Sequence, residues 1–199
     1  MAVEERALHH YQAMVLLNPK DPKSFIKLGD ALCLQEKYTN AIVAFEKAVK
    51  LNPDDHLVYY HLGNAHYMLS DYEKAVKNYR ESLVIDNTNS QVHFNIGSAL
   101  SALKLFYEAQ KHYMQAICLK EKNTPAYLCL AEVYIELGKL KKAAEAFGQI
   151  LAYDPVNEKA CEGLESIKLA IPLVGGGSLS RRSTEKEDKN ICLADGVAE

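Results

Sequence analysis

Residues 57–86, LVYYHLGNAHYMLSDYEKAVKNYRESLVID, decide the fold. The stretch carries two helical patterns of similar length, separated by a polar break at Ser70-Asp71. The chain nearly repeats it before and after. Gly29, Gly63 and Gly97 stand 34 residues apart, and Ala131 holds the fourth place. The same offset relates Ala41, Ala75, Ala109 and Ala143, and it relates Phe45, Tyr79, Tyr113 and Phe147. An aromatic residue or His precedes each small one by four places, at Phe25, Tyr59, His93 and Tyr127, with Leu28, Leu62, Ile96 and Leu130 between them. Self-similarity at a fixed period of this size marks a repeat array. Apolar residues recurring at helical spacing predict a buried stripe on every helix.

A 34-residue helix-turn-helix period with an aromatic, a Leu-Gly pair, a small Ala, a second aromatic and a closing Pro resembles the tetratricopeptide repeat. Four units fit, 22–55, 56–89, 90–123 and 124–157, with closing prolines at Pro53 and Pro155. Asn87 and Glu121 stand where that proline would be in the other two, and Ala131 replaces the glycine. The resemblance implies an all-α fold, a right-handed α-solenoid of stacked hairpins. Each unit then buries its face only against its neighbours, so the array is expected to form one domain.

A glycine inside a helix costs roughly 0.8–1.0 kcal/mol relative to Ala. Something must offset that cost, and the simplest account is close approach of the paired helix through Ala41, Ala75, Ala109 or Ala143.

Residues 1–21 match only the second helix of a unit, with Ala7, Tyr11, Met14 and Pro19 in register. They read as an orphan helix of a partial repeat or as an N-terminal cap. Residues 158–170 begin another first helix with Cys161 and Leu164 in register, but Glu165 and Lys168 occupy places that a further partner would need small and apolar. That helix reads as the polar-faced cap of the array. Residues 171–199 have a glycine triplet, mixed charge and no periodicity, the composition of a flexible tail. Ser183 and Thr184, behind Arg181-Arg182, resemble a basic kinase site, and 171–174 could fold back over the array.

Of 199 residues 48% are hydrophobic and 25% charged, and the net charge of −3 gives no electrostatic reason to expect nucleic acid or anionic membrane as partner. No apolar run approaches the roughly 18 residues of a spanning helix, so no membrane insertion is expected. The five cysteines, Cys33, Cys118, Cys129, Cys161 and Cys192, show no close pairing and suit a reducing cytosol. A cytoplasmic location, in a ciliary or other cytosolic assembly, is the corresponding expectation. His56, His61 and His66 are five apart, whereas ligands sharing a helix face need spacings of three or four. Neither a metalloprotease His pair, a nucleophile elbow nor a phosphate loop occurs. The expectation is a non-enzymatic protein without cofactor or metal.

Function must then come from the surface. In the family, first helices line a concave groove that commonly holds an extended or helical segment of another protein. The positions facing that groove read Ile26, Tyr60, Phe94 and Leu128, then Asp30, Asn64, Ser98 and Glu132, then Cys33, Tyr67, Ser101 and Ile135, with Asn95 beside them. An apolar ladder at positions the fold need not bury points to interaction, although packing against neighbouring repeats would also explain it.

Family members that hold the C-terminal carboxylates of heat-shock chaperones use Lys, Arg and Asn at places that here read Tyr60, Asn64, Asn95, Pro125 and Cys129. Shifted by one unit they read Ile26, Asp30, His61, Gln91 and Asn95. Every cation is missing, so capture of chaperone tails is not expected. The asparagine ladder of sugar-transferase arrays is absent too, its places reading Lys27, His61, Asn95 and Cys129. Two function classes remain: an adaptor that binds partner segments in its groove, and a structural subunit that associates with itself or larger neighbours through its convex face and N-terminal helix. A regulatory domain of a longer protein is a third.

Overall fold

The structure, a computed structural model, describes residues 3–170. Ser183, Thr184 and the fold-back of 171–174 lie outside the described residues. Ten helices follow in order: α1 (Val3–Leu17), α2 (Pro22–Leu34), α3 (Tyr38–Leu51), α4 (His56–Met68), α5 (Tyr72–Ile85), α6 (Ser90–Ala102), α7 (Phe106–Leu119), α8 (Thr124–Glu136), α9 (Leu140–Tyr153) and α10 (Glu158–Ala170). With no strand among the described residues, this is an all-α solenoid of helical repeats. The chain divides after Leu103 into two compact units, α1–α6 and α7–α10, a break that the uniform period does not mark.

The first helix of each repeat starts at a side-chain cap. Asp21 accepts from the backbone N–H groups of Lys23 and Ser24, Asp55 from Leu57, Asn89 from Gln91 and Val92, and Asn123 from Ala126. Asn157 accepts in the same way from Ala160 ahead of α10. Each cap satisfies donors that the helix itself leaves orphaned. The second helices α3, α5, α7 and α9 have no such cap. They follow directly from a tight reversal of the chain.

That reversal has a recurring backbone signature. Glu36, Ser70, Lys104 and Gly138 all have positive φ, between 58° and 70°. In the turns at Glu36, Ser70 and Gly138 the hydrogen bonds form a Schellman pair. Glu36 N–H donates to the Cys33 carbonyl and Lys37 N–H to Leu32, and the same two bonds recur at Ser70/Asp71 and Gly138/Lys139. Only Gly138 adopts this conformation without steric cost.

In the α2/α3 and α4/α5 hairpins close packing rests on an aromatic ring, which corrects the expectation that glycine accommodates the paired alanine there. A Cβ on Gly29 would fall inside the ring of Phe45, and one on Gly63 inside the ring of Tyr79. In the second unit the ring of Phe147 lies over Gly163 of α10 in the same way. Phe45, Tyr79 and Phe147 are buried, as are Ala41, Ala75 and Ala143. The first-helix stripe is less uniform than expected. Leu62, Ile96 and Leu130 are buried, whereas Phe25, Tyr59, His93 and Tyr127 are only half-buried. Among the described residues Cys33, Cys129 and Cys161 are free thiols, each half-buried.

Two stability predictions follow from this geometry. Ser70→Gly is expected to raise stability by up to about 1 kcal/mol, because it removes left-handed strain, and Gly138→Ala to lower it by a similar amount. Gly63→Ala should cost about 1–3 kcal/mol through the Tyr79 ring. Gly148→Ala, which meets open space inside α9, should gain roughly 0.5–1 kcal/mol. Thermal melts of the four variants test both.

Candidate partner-binding face

In the first unit α2, α4 and α6 lie in succession, linked along one side by polar side chains. His61 of α4 approaches Asp30 of α2, Nδ1 to Oδ1, at 3.4 Å, and stacks on Phe45 with ring centroids 5.5 Å apart. One step further on, Asn95 Nδ2 of α6 donates to Asn64 Oδ1 of α4 at 3.0 Å. Asn64 Oδ1 also accepts from the Tyr79 hydroxyl at 2.8 Å, and Asn95 Oδ1 accepts from Gln91 Nε2 at 2.9 Å. Burial of Tyr79 pushes its pKa up, so the phenol stays protonated as a donor. Both interhelix pairs are separated by 31 residues, one 34-residue period less three places. Equivalent positions on successive first helices thus meet with an offset of one helical turn.

These contacts place the expected site residues. Ile26, Tyr60 and Phe94 are half-buried, neither sealed nor free. Ile26 packs against the core of its unit, and Tyr60 touches the rings of His61 and Tyr79. Asp30, Asn64, Asn95 and Ser98 are also half-buried. Asp30 is shared between His61 and Lys27, and the Ser98 hydroxyl donates to the Phe94 carbonyl at 3.1 Å. Tyr67 sits edge-on to Tyr72 at 5.3 Å. Cys33 is half-buried, its pKa pushed up to about 11 by burial and then by Asp30, which keeps the thiol protonated. In the second unit, Leu128 is half-buried, while Glu132 and Ile135 are exposed.

Sequence reasoning met His61 and Gln91 only as places where other family members carry different contact residues, and it left both, with Tyr79, out of the candidate face. A 31-residue offset between polar residues was the available signal. Among the described residues no three His, Cys, Asp or Glu side chains converge as a metal site, and no helix is long and apolar enough to cross a membrane.

Comparison with known proteins agrees with this architecture. Family models described as TPR repeat and tetratricopeptide repeat match residues 29–70, 56–89 and 102–165. The chain belongs to the tetratricopeptide repeat proteins. No match is found among curated protein sequences. Among solved structures it is similar to YrrB, described as a TPR protein with an unusual peptide-binding site, at 20% identity and TM-score 0.70, over 80% of this chain and 82% of that one. It is similar to MamA residues 41-end of Desulfovibrio magneticus RS-1 at 18% identity and TM-score 0.74, over 79% and 89%. It also resembles the first TPR of Spaghetti (RPAP3) bound to the HSP90 peptide SRMEEVD, at 28% identity and TM-score 0.55, over 58% and 91%.

Asn64 is the hub of the polar ladder. Asn64→Ala is expected to cost about 1–3 kcal/mol, because it leaves the buried Tyr79 hydroxyl without its acceptor. Adding Tyr79→Phe should recover part of that loss. A double-mutant cycle from chemical denaturation checks both.

Proposed function

We propose that this chain is a protein-interaction scaffold that binds an extended or helical segment of a partner against the face of α2, α4 and α6. The observation that carries this reading is the row of Ile26, Tyr60 and Phe94, half-buried beside a polar ladder. Amphipathic anchors of this kind supply contact area at low entropy cost. The Nδ2 hydrogens of Asn64 have no partner among the described residues, so they can donate to a peptide carbonyl. Leu128 and Glu132 occupy the corresponding positions on α8, and we assign them the same role within the second unit.

The HSP90 peptide bound by the RPAP3 relative is acidic at its end. Here Tyr60, Pro125 and Cys129 stand where cations would be needed, which argues for a partner segment of different chemistry. Burying anchors of this size supports micromolar binding, about −8 kcal/mol.

Self-association is the second reading, favoured by Leu16 and Leu17 of α1, which are 82% and 79% exposed. Sedimentation separates the two. A monomer at all concentrations fits the scaffold, and a concentration-dependent oligomer abolished by Leu16→Glu/Leu17→Glu fits the alternative.

Proximity labelling in cells can supply a partner segment, and titration of the corresponding synthetic peptide then tests the face. Tyr60→Ala/Phe94→Ala is expected to weaken binding by at least about tenfold. Equal affinity for wild type and double variant would place binding elsewhere.

A further inference from the structure

The first unit carries a second concavity, formed by α3, α4 and α5. It is a cleft of about 440 Å³, within the size range of ligand sites. Its α4 residues are Tyr59, Leu62 and His66, which at 100° per residue point away from Tyr60, Asn64 and Tyr67. Val49 and Tyr59 supply apolar surface, and Lys50, Lys74 and Lys77 stand around it with a single lining carboxylate, Glu46.

Three observations set this cleft apart from repeat packing. The first is His66, only 12% exposed at the side chain, where the other repeats place Leu32, Leu100 and Tyr134 in the core. Its Nδ1 is buried without a hydrogen bond, the nearest carboxylate oxygen, Asp71 Oδ2, standing at 3.6 Å. Burial lowers its pKa despite Asp71, and a neutral ring suits a site that is otherwise cationic. An unpartnered buried polar atom costs about 1–3 kcal/mol, so an apolar residue would serve the fold better.

The second observation is that the lysines are not a repeat feature. The same places read Leu16, Asn40 and Val43 one period earlier and Val84, Glu108 and Lys111 one period later. The third is charge balance. Lys74 pairs with Asp71 at 3.1 Å, but neither Lys50 nor Lys77 has a salt bridge among the described residues, in a chain of net charge −3.

The geometry points to this cleft as a docking site for an acidic segment of a partner protein, with one apolar side chain seated on Val49 and Tyr59, above the buried Leu62, and carboxylates facing Lys50, Lys74 and Lys77. Charge complementarity selects an acidic occupant, and the apolar floor selects a peptide over a bare anion. Because its residues are separate from Tyr60 and Phe94, the chain could engage two segments at once, which raises avidity without new contacts.

The test uses the full chain and a fluorescein-labelled synthetic peptide with glutamates flanking a Leu-Phe core, beside the same peptide with glutamines. Anisotropy should show salt-sensitive binding of the glutamate peptide alone. Lys50→Glu/Lys77→Glu should weaken it by at least about tenfold, and Lys50→Gln/Lys77→Gln by less, with circular dichroism unchanged. Tyr60→Ala/Phe94→Ala should leave it unaltered.

Four results would overturn the proposal. These are no binding up to about 1 mM peptide, equal binding of the two peptides, loss of binding in the Tyr60/Phe94 variant, or self-association that the lysine variants abolish, which would make the cleft an interface between copies.

Discussion

One contact sustains the array: an aromatic ring from the second helix of a hairpin lying on a glycine of a first helix. Phe45 on Gly29 and Tyr79 on Gly63 bring the two helices of a hairpin together, and Phe147 on Gly163 joins α9 to the helix that follows it. Isolated helices of 13 or 14 residues are marginal in water, so their stability has to come from such packing. The ring serves two neighbours at once. Phe45 meets Gly29 of its own hairpin on one side and His61 of the next on the other. A glycine that weakens its own helix is thereby retained for the contact it permits.

The same contact determines what the first-helix face can display. Rings seated between hairpins bring α2, α4 and α6 into succession, close enough that side chains one period less three places apart touch. Asp30 with His61 and Asn64 with Asn95 are the result. Between these polar steps Ile26, Tyr60 and Phe94 are left half-buried, anchored by the fold yet with area remaining. Anchoring of this kind lowers the entropy lost when a partner binds.

On the other side of α4 the repeat makes no comparable demand. Positions 50, 74 and 77 are free to vary, and the chain places lysine at all three. Position 66, by contrast, is buried in the other repeats, and a histidine there departs from the local rule. Departures from local consistency concentrate where a surface has a use besides folding. On one side α4 presents Tyr60, Asn64 and Tyr67, and on the other Tyr59, Leu62 and His66 meet the lysines of α3 and α5.

The 34-residue period was enough to reveal the helices, their pairing into hairpins and the places of the small and aromatic residues, because burial repeats with the backbone. The first-helix caps share one chemistry, Asp or Asn, and were legible in principle for the same reason. The left-handed turn residues were not. Glu36, Ser70, Lys104 and Gly138 share a backbone angle and no side-chain type, so only coordinates reveal them. Nor could the period tell that Gly29 faces Phe45 instead of Ala41, or that Asn64 and Asn95 bind each other. Equivalent positions in a repeat are a property of the chain, whereas which neighbour a side chain meets depends on the offset between stacked helices, and that is settled only when rings, glycines and polar groups pack together.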